Sequence, residues 1–250
     1  MKSGRRIGDW LFGGLAVAAV LTFAIALIGR PGLYAAERAT VVPAPTFDNS
    51  KAAGPLQTAV LSGGCFWGTQ GVFEHVKGVR RVLAGYAGGQ ASTASYETVS
   101  SGTTGHAESI RVVFDPAEIS YGEILRVFFS VAHDPTQLNR QGPDEGTQYR
   151  SSIFYADATQ QKIATDYIAQ LQQAHVFSRP VVTRVDPLQG FYPAERYHQD
   201  YLFHNPDQPY IVYNDQPKIA NLKRVFPDIY QARPVLTTDK AGPEVTAALR

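Results

Sequence analysis

One cysteine in 250 residues, Cys65, sits in the run Gly63-Gly64-Cys65-Phe66-Trp67-Gly68. A thiol reacts as its thiolate, so its surroundings decide whether it does chemistry. Gln57 to Ser62 reads as a short apolar strand ended by the glycine pair, after which Phe66, Val72, Phe73 and Val76 recur near helical spacing. That spacing predicts Cys65 at or just before a helix N-terminus, where free N–H groups and the helix dipole would stabilise a thiolate. A second reactive group stands in His106 to Phe114, an alternating run in which Glu108 shares its parity with Ile110, Val112 and Phe114. A carboxyl on the apolar face of a strand keeps its proton to higher pH, unless a cation neutralises it. A place at the strand end in water, or beside an arginine, fits the pattern equally well. His106 and His133 could serve the thiol as a base. Glu195, His198 and His204 lack the spacing of a zinc site and read as structural or surface residues, so no metal is expected.

These groups need a scaffold. Val79 to Tyr86 predicts a second strand closing in a glycine-rich turn, and Ser120 with Glu123 fits a capping box ahead of a helix. Asp157 precedes another amphipathic run. His133 to Tyr149 holds too many prolines and glycines for a regular element. Ser151 to Tyr155 and Val181 to Val185 read as strands, and Ala194 to Phe203 as a short helix. The mixture predicts an α/β fold, specifically an α+β two-layer sandwich of a mixed sheet with helices packed against it.

Flanking segments differ from this body. Residues 10–29 carry no charge and are long enough to cross a bilayer, with Lys2, Arg5 and Arg6 before them. Residues 1–37 are therefore expected to be an N-terminal hydrophobic helix, either a membrane anchor or a cleaved signal, placing the body on the extracytoplasmic, periplasmic side. Residues 38–55, small and proline-punctuated, read as a flexible tether. The catalytic body is assigned to 56–230, and 231–250 to a loosely packed tail. Twenty-three basic against 22 acidic residues give no field that would draw nucleic acid. No phosphate-binding glycine loop ends in Lys-Ser/Thr, so neither a nucleotide nor a flavin is implied. An internal disulfide is impossible with one cysteine.

The assembled motifs resemble peptide methionine sulfoxide reductase of the A type. They are "GGCFWG", "GYAGG", "SYETVSSGTTGHAE", "HDPTQLNRQGPDEGTQYRS" and "YHQDYL", in order across roughly residues 57 to 215. The resemblance implies Cys65 as nucleophile and Phe66 with Trp67 as the wall that receives the substrate methyl. It implies Glu108, Tyr96 and Tyr149 around the sulfoxide oxygen, with Asp144 lining the same site. It further implies reduction of methionine S-sulfoxide, in proteins or free, through a Cys65 sulfenic acid. Many members carry a resolving cysteine in a C-terminal segment; Gln231 to Arg250 has none. An external thiol must then serve, thioredoxin-like or glutathione/glutaredoxin-like, or dithiothreitol in vitro, with a monomer expected and no bound cofactor. Two other readings stand beside this one: a Cys–His hydrolase or acyl-transferase, and a membrane-tethered binding module without turnover.

Overall fold

The computed structural model describes residues 38–239 and 242–249. The expected hydrophobic helix at 10–29 lies outside them. Six strands form one mixed sheet in the order β7-β6-β1-β3-β2-β8. They are β1 (Gln57–Ser62), β2 (Val79–Ala87), β3 (Ala107–Phe114), β6 (Ser152–Tyr155), β7 (Arg184–Pro187) and β8 (Phe191–Pro193). All neighbouring pairs are antiparallel except β6 with β7.

Side-chain alternation sorts the two faces. On β3, Ile110, Val112 and Phe114 join the main core with Val82, Ala84 and Tyr86 of β2. The opposite parity meets a much smaller cluster of Val60, Ala87, Ala107, Phe154 and Phe191. Helices cover the main-core face: α1 (Phe66–Glu74) against β2, and α4 (Ala158–Gln173) against β6 and β7. Between them in the chain lie α2 (Tyr96–Val99) and α3 (Tyr121–Val127). Ser120 caps α3 with a complete capping box, and the Asp157 side chain caps α4.

Several elements depart from the sequence expectation. The breaker-rich loop contains a small hairpin, β4 (Arg140–Gln141) with β5 (Asp144–Glu145). The strand expected at Val181 to Val185 is displaced to Arg184–Pro187, because Val182 bonds Pro135 outside the sheet. The helix expected over Ala194 to Phe203 is broken into a 3₁₀ turn at Arg196–His198 and a single turn, α5 (Tyr201–His204). Asp200 between them is left-handed, φ 55°, which no continuous helix tolerates. A π-helical turn, Ile211–Asp215, then leads into α6 (Gln216–Val225).

Both flanks are docked. Residues 38–55 do not form a flexible tether: Val42 is fully buried, Thr40 bonds Ser130, and the Tyr167 hydroxyl donates to the Pro43 carbonyl. Asp48 and Asn49 accept from the backbone N–H groups of Gly122 and Tyr121, satisfying donors that open α3. The tail is not loose either. Gln231 and Val235 donate to the carbonyls of His75 and Glu74, Thr237 donates to Asp200, and α7 (Pro243–Ala248) buries Val245.

Candidate active site

Cys65 occupies the N-cap of α1, with the Gly63-Gly64 turn behind it. Gly64 adopts φ +86°, a conformation that favours glycine, and an added Cβ would run into Gln141 of the hairpin. The chain therefore passes from β1 to α1 in three residues, Gly63, Gly64 and Cys65. Cys65 is 8% exposed.

Glu108 faces the start of α1 from β3. It is 4% exposed, and its Oε2 accepts the Phe66 N–H at 3.0 Å. Its partner is thus a backbone amide, not bulk water or an arginine. Burial pushes its carboxyl up to about 8, partly opposed by that amide and reinforced by Asp144 and Asp215. Of the placements the alternating pattern left open, the buried one is found.

The thiol departs from its expectation. Burial raises its pKa well above the ordinary value, and Glu108, Asp215 and Asp144 raise it further; the Trp67 N–H alone pulls it down. Helix-terminus stabilisation falls off within one turn and is outweighed here by lost hydration and three carboxyl groups. At rest Cys65 is a thiol.

Aromatic groups fix the walls. Phe66 is buried against Tyr86 and His198, with ring centroids 5.9 and 5.0 Å away. Trp67 stacks on Tyr201 at 3.9 Å and donates its indole N–H to His198 Nδ1 at 3.1 Å. Glu195 accepts from the Tyr86 hydroxyl and the Tyr96 N–H, so Glu195 and His198 hold the aromatic wall together. His133 is held by Phe128 and Ser151, and His106 Nε2 faces the Gln90 carbonyl. Neither imidazole hydrogen-bonds the thiol, which removes the geometric basis of the hydrolase reading.

The Tyr96 ring lies 4.6 Å from that of His198, and burial raises both its phenol and that of Tyr149, with the charges of Glu108, Cys65 and Asp144 adding to it. Asp144 accepts the Tyr210 hydroxyl. Cys65, Phe66 and Trp67 at the start of α1 are thus brought together with Glu108 from β3, and Tyr96, Tyr149 and Asp144 are coupled to Cys65 and Glu108 through their charges. Sequence reasoning missed Tyr210, which precedes the π turn, Asp215, which ends it, and Lys218 on α6; Pro217 in the first turn of α6 was the available signal.

A family model described as peptide methionine sulfoxide reductase matches residues 57–229. The chain belongs to the peptide methionine sulfoxide reductase family. Peptide methionine sulfoxide reductase MsrA 2 of Mesorhizobium japonicum is 57% identical over 188 residues, 75% of this chain and 96% of the relative. A protein of the same name from Synechocystis is 47% identical over 196 residues, 77% of this chain and 92% of that one. Among solved structures, reduced Mxr1 of Saccharomyces cerevisiae aligns with a TM-score of 0.56 at 33% identity, covering 64% of this chain and 94% of that one. Methionine sulfoxide reductase A of Corynebacterium diphtheriae aligns with a TM-score of 0.53 at 32% identity, covering 70% and 88%. The reductase fold of those proteins is the mixed sheet with helices described above.

Proposed function

We propose that this enzyme carries out thiol-dependent reduction of methionine sulfoxide with Cys65 as nucleophile and Glu108 as acid. The observation that carries the residue roles is the buried Glu108 carboxyl bonded to the first amide of the helix that Cys65 begins. A sulfoxide oxygen leaves only when protonated or strongly hydrogen-bonded. With Oε2 on the Phe66 amide, Oε1 of Glu108 is left to carry the proton that the oxygen needs. The Tyr96 and Tyr149 phenols hold that oxygen while charge builds on it. Phe66 and Trp67 enclose the S-methyl group, a contact worth about 0.8 kcal/mol per buried carbon, so the wall selects by shape. In the net reaction the substrate's sulfur–oxygen bond breaks and the oxygen ends bonded to the Cys65 sulfur, which gives up two electrons to the substrate sulfur: thiol plus sulfoxide gives sulfenic acid plus sulfide. Glu108 recovers a proton as the Cys65 proton is released.

The chain has no second cysteine with which the sulfenic acid could condense. Recycling is assigned to an external thiol, thioredoxin-like or glutathione-like, which forms a mixed disulfide with Cys65 before a further thiol releases it. The S epimer is the proposed substrate, in oxidised proteins or as the free amino acid. Lys2, Arg5 and Arg6 ahead of the uncharged run 10–29 support an extracytoplasmic setting for this repair, whether that run anchors the protein or is cleaved.

Separated epimers of methionine sulfoxide, incubated with dithiothreitol and the full chain, test the reading. Methionine should form from the S epimer and be abolished in Cys65→Ser. Intact mass without reductant should show one added oxygen on Cys65; equal turnover by Cys65→Ser would overturn the assignment.

A further inference from the structure

The π turn Ile211–Asp215 brings to the site a charged pair that none of the steps above uses. Asp215 is fully buried, and neither of its carboxylate oxygens accepts a hydrogen bond among the described residues. Its neighbour Lys218, 6% exposed and one turn further along, places Nζ 3.5 Å from Oδ1. Taking both charges out of water is costly, and the chain gives up a side chain to seat them: a Cβ on Gly68 would overlap Asp215 Oδ1. Gly68 lies three residues after Cys65 on the first turn of α1, so the carboxylate rests on the helix that the thiol begins.

We propose that the Asp215–Lys218 pair is a positioning element that sets the pH at which Cys65 ionises and holds the resting residue as a thiol. The Asp215 carboxylate opposes a second negative charge on the neighbouring sulfur. Lys218 keeps that carboxylate ionised at neutral pH in spite of its burial. The charged and titratable groups coupled to the pair are Glu108 from β3, Asp144 from the hairpin, His133 behind the glycine turn and Tyr210 from the residue before the π turn, while Tyr96 and Tyr149 are coupled to Cys65 itself. Of these, Glu108 holds its proton until about pH 8. Asp215 itself titrates near 6, raised by burial and drawn down by Lys218. Its charge is therefore present at pH 7 while that of Glu108 is largely absent. A chain with one cysteine gains from this arrangement, because thiolates are the form that oxidants and electrophiles attack.

The proposal rests on Cys65 being the reacting thiol, but its test uses no sulfoxide, so the two readings fail separately. The full chain is alkylated with iodoacetamide across a pH series, the thiolate sulfur displacing iodide, and the product is counted by intact mass at the single cysteine. In D215N the midpoint of the rate profile should fall by about one pH unit. At a pH below both midpoints the variant should react about three- to fourfold faster, since a more acidic thiolate is also a weaker nucleophile. D215N leaves Lys218 with a buried charge, so D215N/K218M, which removes both, serves as the second variant and should move the midpoint the same way. K218R should keep the wild-type profile. A wild-type midpoint in both folded variants overturns the proposal, as does a change confined to the high-pH plateau, which marks altered access.

Discussion

Glu108 and Phe66, 42 residues apart, are joined by a 3.0 Å hydrogen bond from the Phe66 amide to the carboxyl. The bond fixes the proposed acid at the residue next to Cys65, and Glu108→Gln preserves its acceptor while removing the proton. Methionine formation in a single turnover should fall by about 10²- to 10⁴-fold, the usual range for a lost general acid. In the wild type the same rate should decline as pH rises through about 8, where Glu108 loses its proton. A Glu108→Gln enzyme with near-wild-type turnover would exclude the assigned role.

The same carboxyl has a cost in stability. Its pKa is about 8 in the folded chain against an ordinary 4.5, so the folded state binds the extra proton and stability declines as pH rises across that window. Glu108→Gln escapes the decline. At pH 7 the variant should be more stable by on the order of 3 kcal/mol, with little difference at pH 4.5. Denaturant titrations at the two pH values read this directly.

Tyr210→Phe removes the hydroxyl that Asp144 accepts. Burial already raises the Asp144 carboxyl, and Tyr210 and Lys218 draw it back down. Losing the phenol should raise it again and lower kcat/KM roughly tenfold, a hydrogen bond to a charged group being worth about 1.5–3 kcal/mol.

Gly68→Ala ought to help an isolated helix by about 1 kcal/mol. Here the methyl meets the buried Asp215 carboxylate. A net loss of about 1–3 kcal/mol is expected, measured as a lower unfolding midpoint. A stabilised variant would show that Asp215 can step aside.

The positions of Cys65 and Glu108 were legible in part from local pattern, while the roles proposed for them came from the resemblance. A glycine pair ends a strand and a helix begins, and strand alternation puts Glu108 on the side where α1 lies. The ionisation of Cys65 was not legible. It depends on carboxyl groups from β3, the hairpin and the π turn, three segments far apart in the chain. Tyr210 and Asp215 escaped for a related reason, since a π turn has no periodic signature and its direction is set by packing on α1. Residues 38–55 read as a linker because their anchors, Val42, Thr46 and Asp48, are single contacts without a repeat.

The docked flanks redraw what counts as one folding unit. The family match stops at residues 57 and 229, yet the described chain outside those limits fills a core seat with Val42 and pins α1 from below through Val235. A recombinant piece trimmed to the shared reductase segment would expose those seats to water, and should express less well than one that begins at residue 38 and runs to the C-terminus.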